Sequence, residues 1–199
     1  MKTGSLIAFL LFLILHSSIL FGQSTYPEFA LQSQRQIETG MYILGGWALG
    51  NMAVGAVGWK RNTGTTMYFH QMNVFWNVAN LGIVTYSFLG NTGFDPAILN
   101  ADEIMSGHER FQKIFLVNAG LDILYISGGL VLRRLSISAQ RRSEMLSGYG
   151  RSLILQGSFL FLFDGAMFLL QHRLKSVFLE GLQFSYSGSS VLFGYRFDI

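Results

Sequence analysis

Residues 152–172 of the chain read SLILQGSFLFLFDGAMFLLQH, an almost unbroken apolar run. Asp164 is its only acidic residue, and the run contains no lysine or arginine. A helix needs about 20 mostly apolar residues to cross a bilayer, at roughly 1.5 Å per residue. A strand of a membrane barrel would instead alternate apolar and polar residues. The run therefore predicts a transmembrane helix and an all-α membrane protein.

Three further segments have the same character, namely residues 40–59, 67–90 and 114–132. The first two contain no Asp, Glu, Lys or Arg, and the third contains only Asp122. Only 13% of the 199 residues are charged, against about 25% in soluble proteins. We expect one domain over residues 40–172, folded as a four-helix transmembrane bundle.

The two ends of the chain differ from this bundle. Residues 1–22 have an early lysine, an apolar core and a terminal glycine, which predicts a secretory signal peptide, with an uncleaved anchor as the alternative. Residues 23–39 should form an exported segment in which a helix starts near Thr25 and continues into the first span. Residues 173–199 should form an exported tail with a short C-terminal β-hairpin around Gly188-Ser189; a disordered or interfacial tail is the alternative.

Basic residues indicate the direction of the spans. Half of the 14 lysines and arginines lie in the loop after the first span and in the loop between the third and fourth spans. Such loops are retained in the cytoplasm. The loop at residues 91–113 is rich in Asp and Glu, which suits the exported side. We therefore predict a multi-pass protein of a bacterial inner membrane with both mature termini on the exported side.

Polar side chains recur near the middle of every span. On the second and fourth spans they follow one helical face, and a polar group facing lipid would cost about a few kcal/mol, so these faces should point inward. The resulting intramembrane layer consists of Asn51, His70, Asn73, Asn77, Asn80, Asn118, Asp122, Gln156 and Asp164. Glycines, including Gly46-x-x-x-Gly50 of the first span and Gly128-Gly129 of the third, should allow the helices to approach closely.

Asp122 and Asp164 allow two interpretations. An ionisable group at the bilayer centre indicates function by default, so the two could share a proton, a cation or a small polar solute. Alternatively, at least one is protonated and hydrogen-bonds to an asparagine, which would fix the helix register. His70 could likewise shuttle protons or bind a metal, but a hydrogen-bonded packing residue is the simpler interpretation.

Most catalytic classes lack their signatures. The chain has no cysteine, no phosphate-binding glycine loop and no HExxH or GxSxG motif. His108 and Glu109 follow Asp102 and Glu103 and indicate a solvated helix start. The arginines at 133–142 mark topology, with contact to acidic lipid head groups as the alternative. We expect no enzyme activity, catalytic residue, metal site, cofactor or nucleic-acid partner.

Three stretches resemble an uncharacterised family of small exported bacterial proteins with four transmembrane helices, labelled only as a domain of unknown function. The similarity rests on Phe69-His70-Gln71-Met72-Asn73 with Trp76-Asn77-x-x-Asn80, on Asn118-x-Gly120-Leu121-Asp122, and on Gly150-Arg151-Ser152-Leu153 with Gln156-Gly157-x-Phe159-Leu160-x-x-Phe163-Asp164. The resemblance implies a shared fold and no known activity.

The sequence thus favours a non-enzymatic structural or interaction component with a polar layer at mid-depth. Its partners would be the lipid bilayer and either a second copy or another membrane protein. The alternative is a small transporter, channel subunit or sensor that binds a proton, cation or small polar solute at Asp122 and Asp164.

Overall fold

The computed structural model describes the backbone of residues 25–194 and the side chains of residues 25–182. This part of the chain contains four α-helices and one short 3-10 turn. The helices are α1 (Tyr26–Arg61), α2 (Gly64–Gly90), α3 (Ala101–Ser136) and α4 (Ser143–Gly194), and the turn is Pro96–Ile98. The predicted signal peptide at residues 1–22 lies outside the described residues.

Two helices begin at reciprocal side-chain caps. At the start of α1, the backbone N–H of Thr25 donates to Glu28 Oε2 at 2.7 Å, and the Glu28 N–H donates to Thr25 Oγ1 at 3.4 Å. Before α3, Asn100 and Glu103 exchange the same two bonds, both at 2.9 Å. Each cap satisfies N–H groups that the first helical turn leaves unpaired. The helix predicted to start near Thr25 and continue into the first span is present.

The connection between α1 and α2 is only two residues long. It is followed by Gly64, whose φ of +60° lies in the left-handed region that favours glycine. A Cβ atom at this position would come within 2.8 Å of Glu144 Oε1. The tight turn makes α1 and α2 neighbours, and the rings of Tyr42 and Phe88 lie 5.1 Å apart near the other end of the pair.

The chain divides into two compact units. The large unit comprises Ile37–Phe94 and Lys113–Gly165, and contains all of α2 with parts of the other three helices. Within the described residues, the small unit comprises residues 25–36, Asp95–Gln112 and the chain from Ala166 onward.

The large unit buries polar side chains among its apolar core residues and exposes many other apolar side chains. Its buried residues include Asn73, Asn77, Asn80, Asp122, Ser152, Gln156 and Asp164. Its exposed residues include Leu49, Val54, Val78, Ile83, Val117, Leu124, Leu130 and Val131, each more than half exposed. Monomeric soluble proteins rarely show extended apolar surfaces of this kind, whereas lipid tails would cover them.

Three of the described helices are long and apolar enough to cross a membrane: α1, α3 and α4. Helix α2 has 27 residues, which is sufficient length, but its polar residues, including His70 and Gln71, leave it without a span-length window as apolar as those of the other three. Asn73, Asn77 and Asn80 are nevertheless buried, so they add no polar surface to the outside of the large unit.

The predicted C-terminal β-hairpin is wrong, because α4 continues as a helix through Gly194. Extending an existing helix adds one backbone hydrogen bond per residue without a new nucleation step. An isolated two-stranded hairpin, by contrast, is at best marginally stable. The tail therefore follows the helix that precedes it.

The small unit has its own apolar core. Phe29 stacks on Phe178 with ring centroids 4.4 Å apart, and Tyr26 meets Phe178 edge-on at 5.0 Å. Ala30, Ile104 and Leu174 complete the buried cluster, each less than 10% exposed. Helices α1, α3 and α4 each contribute at least one of these residues, so this core holds three helix segments together.

Candidate functional site

Gln156 is the centre of a hydrogen-bond network in the large unit. Its side chain is fully buried on α4. Trp47 Nε1 donates to Gln156 Oε1 at 2.9 Å, and Gln156 Nε2 donates to Asn73 Oδ1 at 3.2 Å and lies 3.4 Å from Asn51 Oδ1. One amide thus bonds to both α1 and α2. The ring of Phe159, one helical turn further, stacks on Trp47 at 3.8 Å and supports the same contact.

The network continues along the asparagines of α2. The hydroxyl of Ser152 donates to Asn73 Oδ1 at 2.5 Å. Asn77 Nδ2 donates to the backbone carbonyl of Asn73 at 2.7 Å, and Asn80 Nδ2 donates to Asn77 Oδ1 at 3.2 Å. Because a buried amide without partners is costly, these bonds allow α2 to keep its polar face inside the unit.

The other cluster pairs two carboxyl groups. The carboxyl groups of Asp122 on α3 and Asp164 on α4 lie within hydrogen-bonding reach of each other, and the side chain of Asn118 lies within reach of Asp164. Both aspartates are at least 95% buried. Two carboxyl groups can form a hydrogen bond to each other only when one of them carries a proton. The second oxygen of Asp122, Oδ2, is buried without a hydrogen-bond partner.

His70 occupies a different environment from the asparagines on its helix. Its ring packs against Gly58 of α1, where any side chain would collide with it, and its backbone carbonyl approaches Gly55. The Nδ1 atom is buried and has no hydrogen-bond partner. The ring of His70 therefore packs against α1, and its Nδ1 lacks the hydrogen bond expected of a packing residue.

Two members of the network were not anticipated from the sequence. Trp47 was overlooked because an indole in an apolar span is indistinguishable from an ordinary lipid-facing or packing residue. Ser152 was overlooked because it lies at the boundary of its span. Its spacing of four residues from Gln156, which places both on one helical face, was the available signal.

The sequence predicts that His108 lies at a solvated helix start. This prediction is wrong, because His108 is only 3% exposed. Helix α3 begins at Ala101, so His108 lies one turn after the buried Ile104 on the same face. In the small unit, His108 Nδ1 lies 2.9 Å from Ser33 Oγ, and Nε2 lies 3.1 Å from the carbonyl of Gln171. Ser33, His108 and Gln171 thus join α1, α3 and α4.

A metal site would need several ligands in one place. Among the described residues, no three His, Asp or Glu side chains form a group that could hold a metal ion.

Comparison with known proteins relates the large unit to one family. The model described as a family of unknown function (DUF6992) matches residues 43–165, which is more than half of the chain. All members of the Gln156 network and the aspartate pair fall within this range. No curated protein and no solved structure matches the chain. The chain belongs to the family of unknown function DUF6992.

Proposed function

We propose that this chain is a non-enzymatic integral protein of a bacterial inner membrane, in which a polar interior fixes the register of the helices. The observation that supports this most directly is Gln156, whose one buried side chain contacts Trp47 and Asn51 on α1 and Asn73 on α2. Sliding any of these helices by one residue would leave polar groups without partners in an apolar medium. Such a framework suits a structural or interaction component that works with the bilayer and with a second copy or another membrane protein.

On this proposal all four helices cross the bilayer, and both mature termini lie on the exported side. Helix α2 lacks a span-length window as apolar as those of the other three helices, but its Asn73, Asn77 and Asn80 are at most 4% exposed. Its exposed residues include Phe75, Val78, Ile83 and Tyr86, which would face lipid. Judged by the surface it presents, α2 is as suitable a span as its neighbours.

Cysteine labelling tests this topology, because the natural chain contains no cysteine. Three exposed positions outside the helices are suitable for single substitutions: Asn62→Cys, Thr92→Cys and Ser138→Cys. In spheroplasts, in which the outer face of the inner membrane is accessible to the reagent, we expect an impermeant maleimide to label Thr92→Cys alone. After membrane disruption, all three should react. Labelling of Asn62→Cys and Thr92→Cys from one side would show that α2 does not cross, and would contradict the proposed topology.

A second candidate function is supported by the aspartate pair. The two carboxyl groups lie close enough to share a proton, and Asp122 Oδ2 is buried without a hydrogen-bond partner. A buried acceptor without a donor is an expensive feature for a residue that serves packing alone. It would be explained by a proton, cation or small polar solute that occupies the pair during transport or sensing.

Replacing both aspartates by asparagine separates the two candidates. In Asp122→Asn/Asp164→Asn, the amides can hydrogen-bond to each other without a shared proton, so we expect the unfolding free energy in mixed micelles to change by less than about 1 kcal/mol. The proposed structural role predicts that insertion and cellular function also survive. Asp102→Asn, at an exposed position early in α3, is the matched control. Loss of function, or of proton or cation flux in liposomes, with folding intact would favour the second candidate.

A further inference from the structure

His108 has a hydrogen-bond environment whose protons can be counted. Its Nε2 faces the backbone carbonyl of Gln171 at 3.1 Å. A carbonyl oxygen only accepts, so Nε2 carries a hydrogen. If the imidazole is neutral, its Nδ1 is then a bare acceptor, and it lies 2.9 Å from Ser33 Oγ.

Ser33 cannot satisfy both of its neighbours while the imidazole is neutral. Its hydroxyl also lies 2.8 Å from Gln171 Oε1. The amide of Gln171 is oriented by its other end, since Nε2 donates to the backbone carbonyl of Ser33 at 3.2 Å. A flipped amide would place two oxygens against each other there. With one hydrogen, the hydroxyl serves either His108 Nδ1 or Gln171 Oε1, and the other acceptor is left without a donor.

A second proton on the imidazole removes this deficit. Nδ1–H then donates to Ser33 Oγ, the Ser33 hydroxyl donates to Gln171 Oε1, and Nε2–H still donates to the Gln171 carbonyl. Every contact in the group then has one donor and one acceptor at the distances observed. The geometry therefore matches the imidazolium better than the neutral ring.

Burial acts in the opposite direction. His108 precedes the apolar part of α3 and lies among charged residues outside the predicted span. The pKa of His108 is lowered to about 4, and burial is the largest cause. The charge of Lys175 also lowers the pKa, whereas the bond to the Gln171 carbonyl and the charge of Glu109 raise it. Glu109 and Lys175 are themselves ion-paired at 2.7 Å. Helix α1 contributes the ring of Phe29 at 4.7 Å, and Tyr26 is the ionisable residue of α1 in the adjoining apolar core.

We propose that His108 is a reversible proton-binding site of the small unit. On proton uptake, Ser33 changes from a donor to an acceptor toward the imidazole, and α1, α3 and α4 become linked by one continuous chain of hydrogen bonds. The site requires no substrate and is independent of the proposed function.

Removing the Ser33 hydroxyl tests the proposal, because the proposal predicts the direction in which the titration midpoint of His108 shifts. The midpoint of His108 is measured by NMR on the full chain, labelled at the histidine ring carbons and nitrogens, in micelles between pH 3.5 and 8. In the unmodified protein, we expect a midpoint between about 4 and 6.5. In Ser33→Ala, the midpoint should fall by about one pH unit, because the imidazolium loses its Nδ1–H acceptor.

Ser33→Thr keeps the hydroxyl and should restore the original midpoint, while the signal of the exposed His172 should not respond to either change. If Ser33→Ala does not fold, the unmodified protein still decides the matter. Below its midpoint it should show an Nδ1–H resonance protected from solvent exchange. A midpoint that stays or rises in Ser33→Ala, or an Nδ1–H in fast exchange with water, would overturn the proposal.

Discussion

We expect Gly150→Val to lower the unfolding free energy by more than about 3 kcal/mol, because Gly150 and Gly129 form the closest approach of α3 and α4. A Cβ atom at Gly150 would lie 2.6 Å from the carbonyl oxygen of Gly129, and one at Gly129 would lie 2.7 Å from the carbonyl oxygen of Gly150. Both obstacles are backbone atoms, which cannot rotate away as a side chain can. Any side chain here must therefore push the two helices apart.

The separation would also affect the polar interior. A Cβ atom at Gly157, two turns further along α4, would lie 3.1 Å from the backbone oxygen of Asp122. Moving α4 outward at Gly150 would loosen this second contact and the aspartate pair beside it. Overpacking alone costs about 1–3 kcal/mol, so Gly150→Ala should give a smaller loss than Gly150→Val.

Gly128 is the matched control for this crossing, because it is adjacent to Gly129 and a Cβ there would meet nothing within 4 Å. Gly128→Ala should be neutral or stabilise the helix by less than about 1 kcal/mol. Reversible unfolding in mixed micelles measures all three variants. Equal effects of Gly128→Ala and Gly150→Ala would contradict the crossing.

The positions of the close contacts could not be predicted from the sequence. Gly46-x-x-x-Gly50 is the motif expected to bring helices together, yet a Cβ at either glycine would meet nothing within 4 Å. Several spans have small residues on more than one face, and only the pairing of the helices selects the face that is used. Gly129 was among the expected contacts, but its partner on α4 was not identified.

The helices themselves were predictable where apolar runs are long, and the start of α1 was predictable from the residues around Thr25, but the start of α3 was not. The apolar run of α3 begins at residue 114, whereas the helix begins at Ala101 behind the Asn100–Glu103 cap. A charged segment contributes little hydropathy, so its helical periodicity is hidden. For the same reason, the sequence predicts a solvated His108. The burial of its ring depends on contacts with α1 and α4, which the sequence does not reveal.

The asparagines and aspartates were identified from their depth in the spans, but their partners were not. Hydrogen bonding depends on rotation and distance between helices, and the sequence gives only positions along each one. The structure pairs Gln156 with Asn73 and Asp122 with Asp164. The structure also places Trp47 in the network, because its indole N–H donates to Gln156 Oε1.

We expect Gln156→Leu to lower the unfolding free energy by about 2–3 kcal/mol. Leucine keeps much of the volume but removes the acceptor of the Trp47 indole and the donor to Asn73. Single hydrogen bonds between membrane helices average about 0.6 kcal/mol, and a buried donor left without a partner costs about 1–3 kcal/mol. The control is Leu155→Ala, at the adjacent exposed position, which should change stability by less than about 1 kcal/mol. Unfolding in mixed micelles measures both, and a Gln156→Leu variant as stable as the unmodified protein would show that the network does not set helix register.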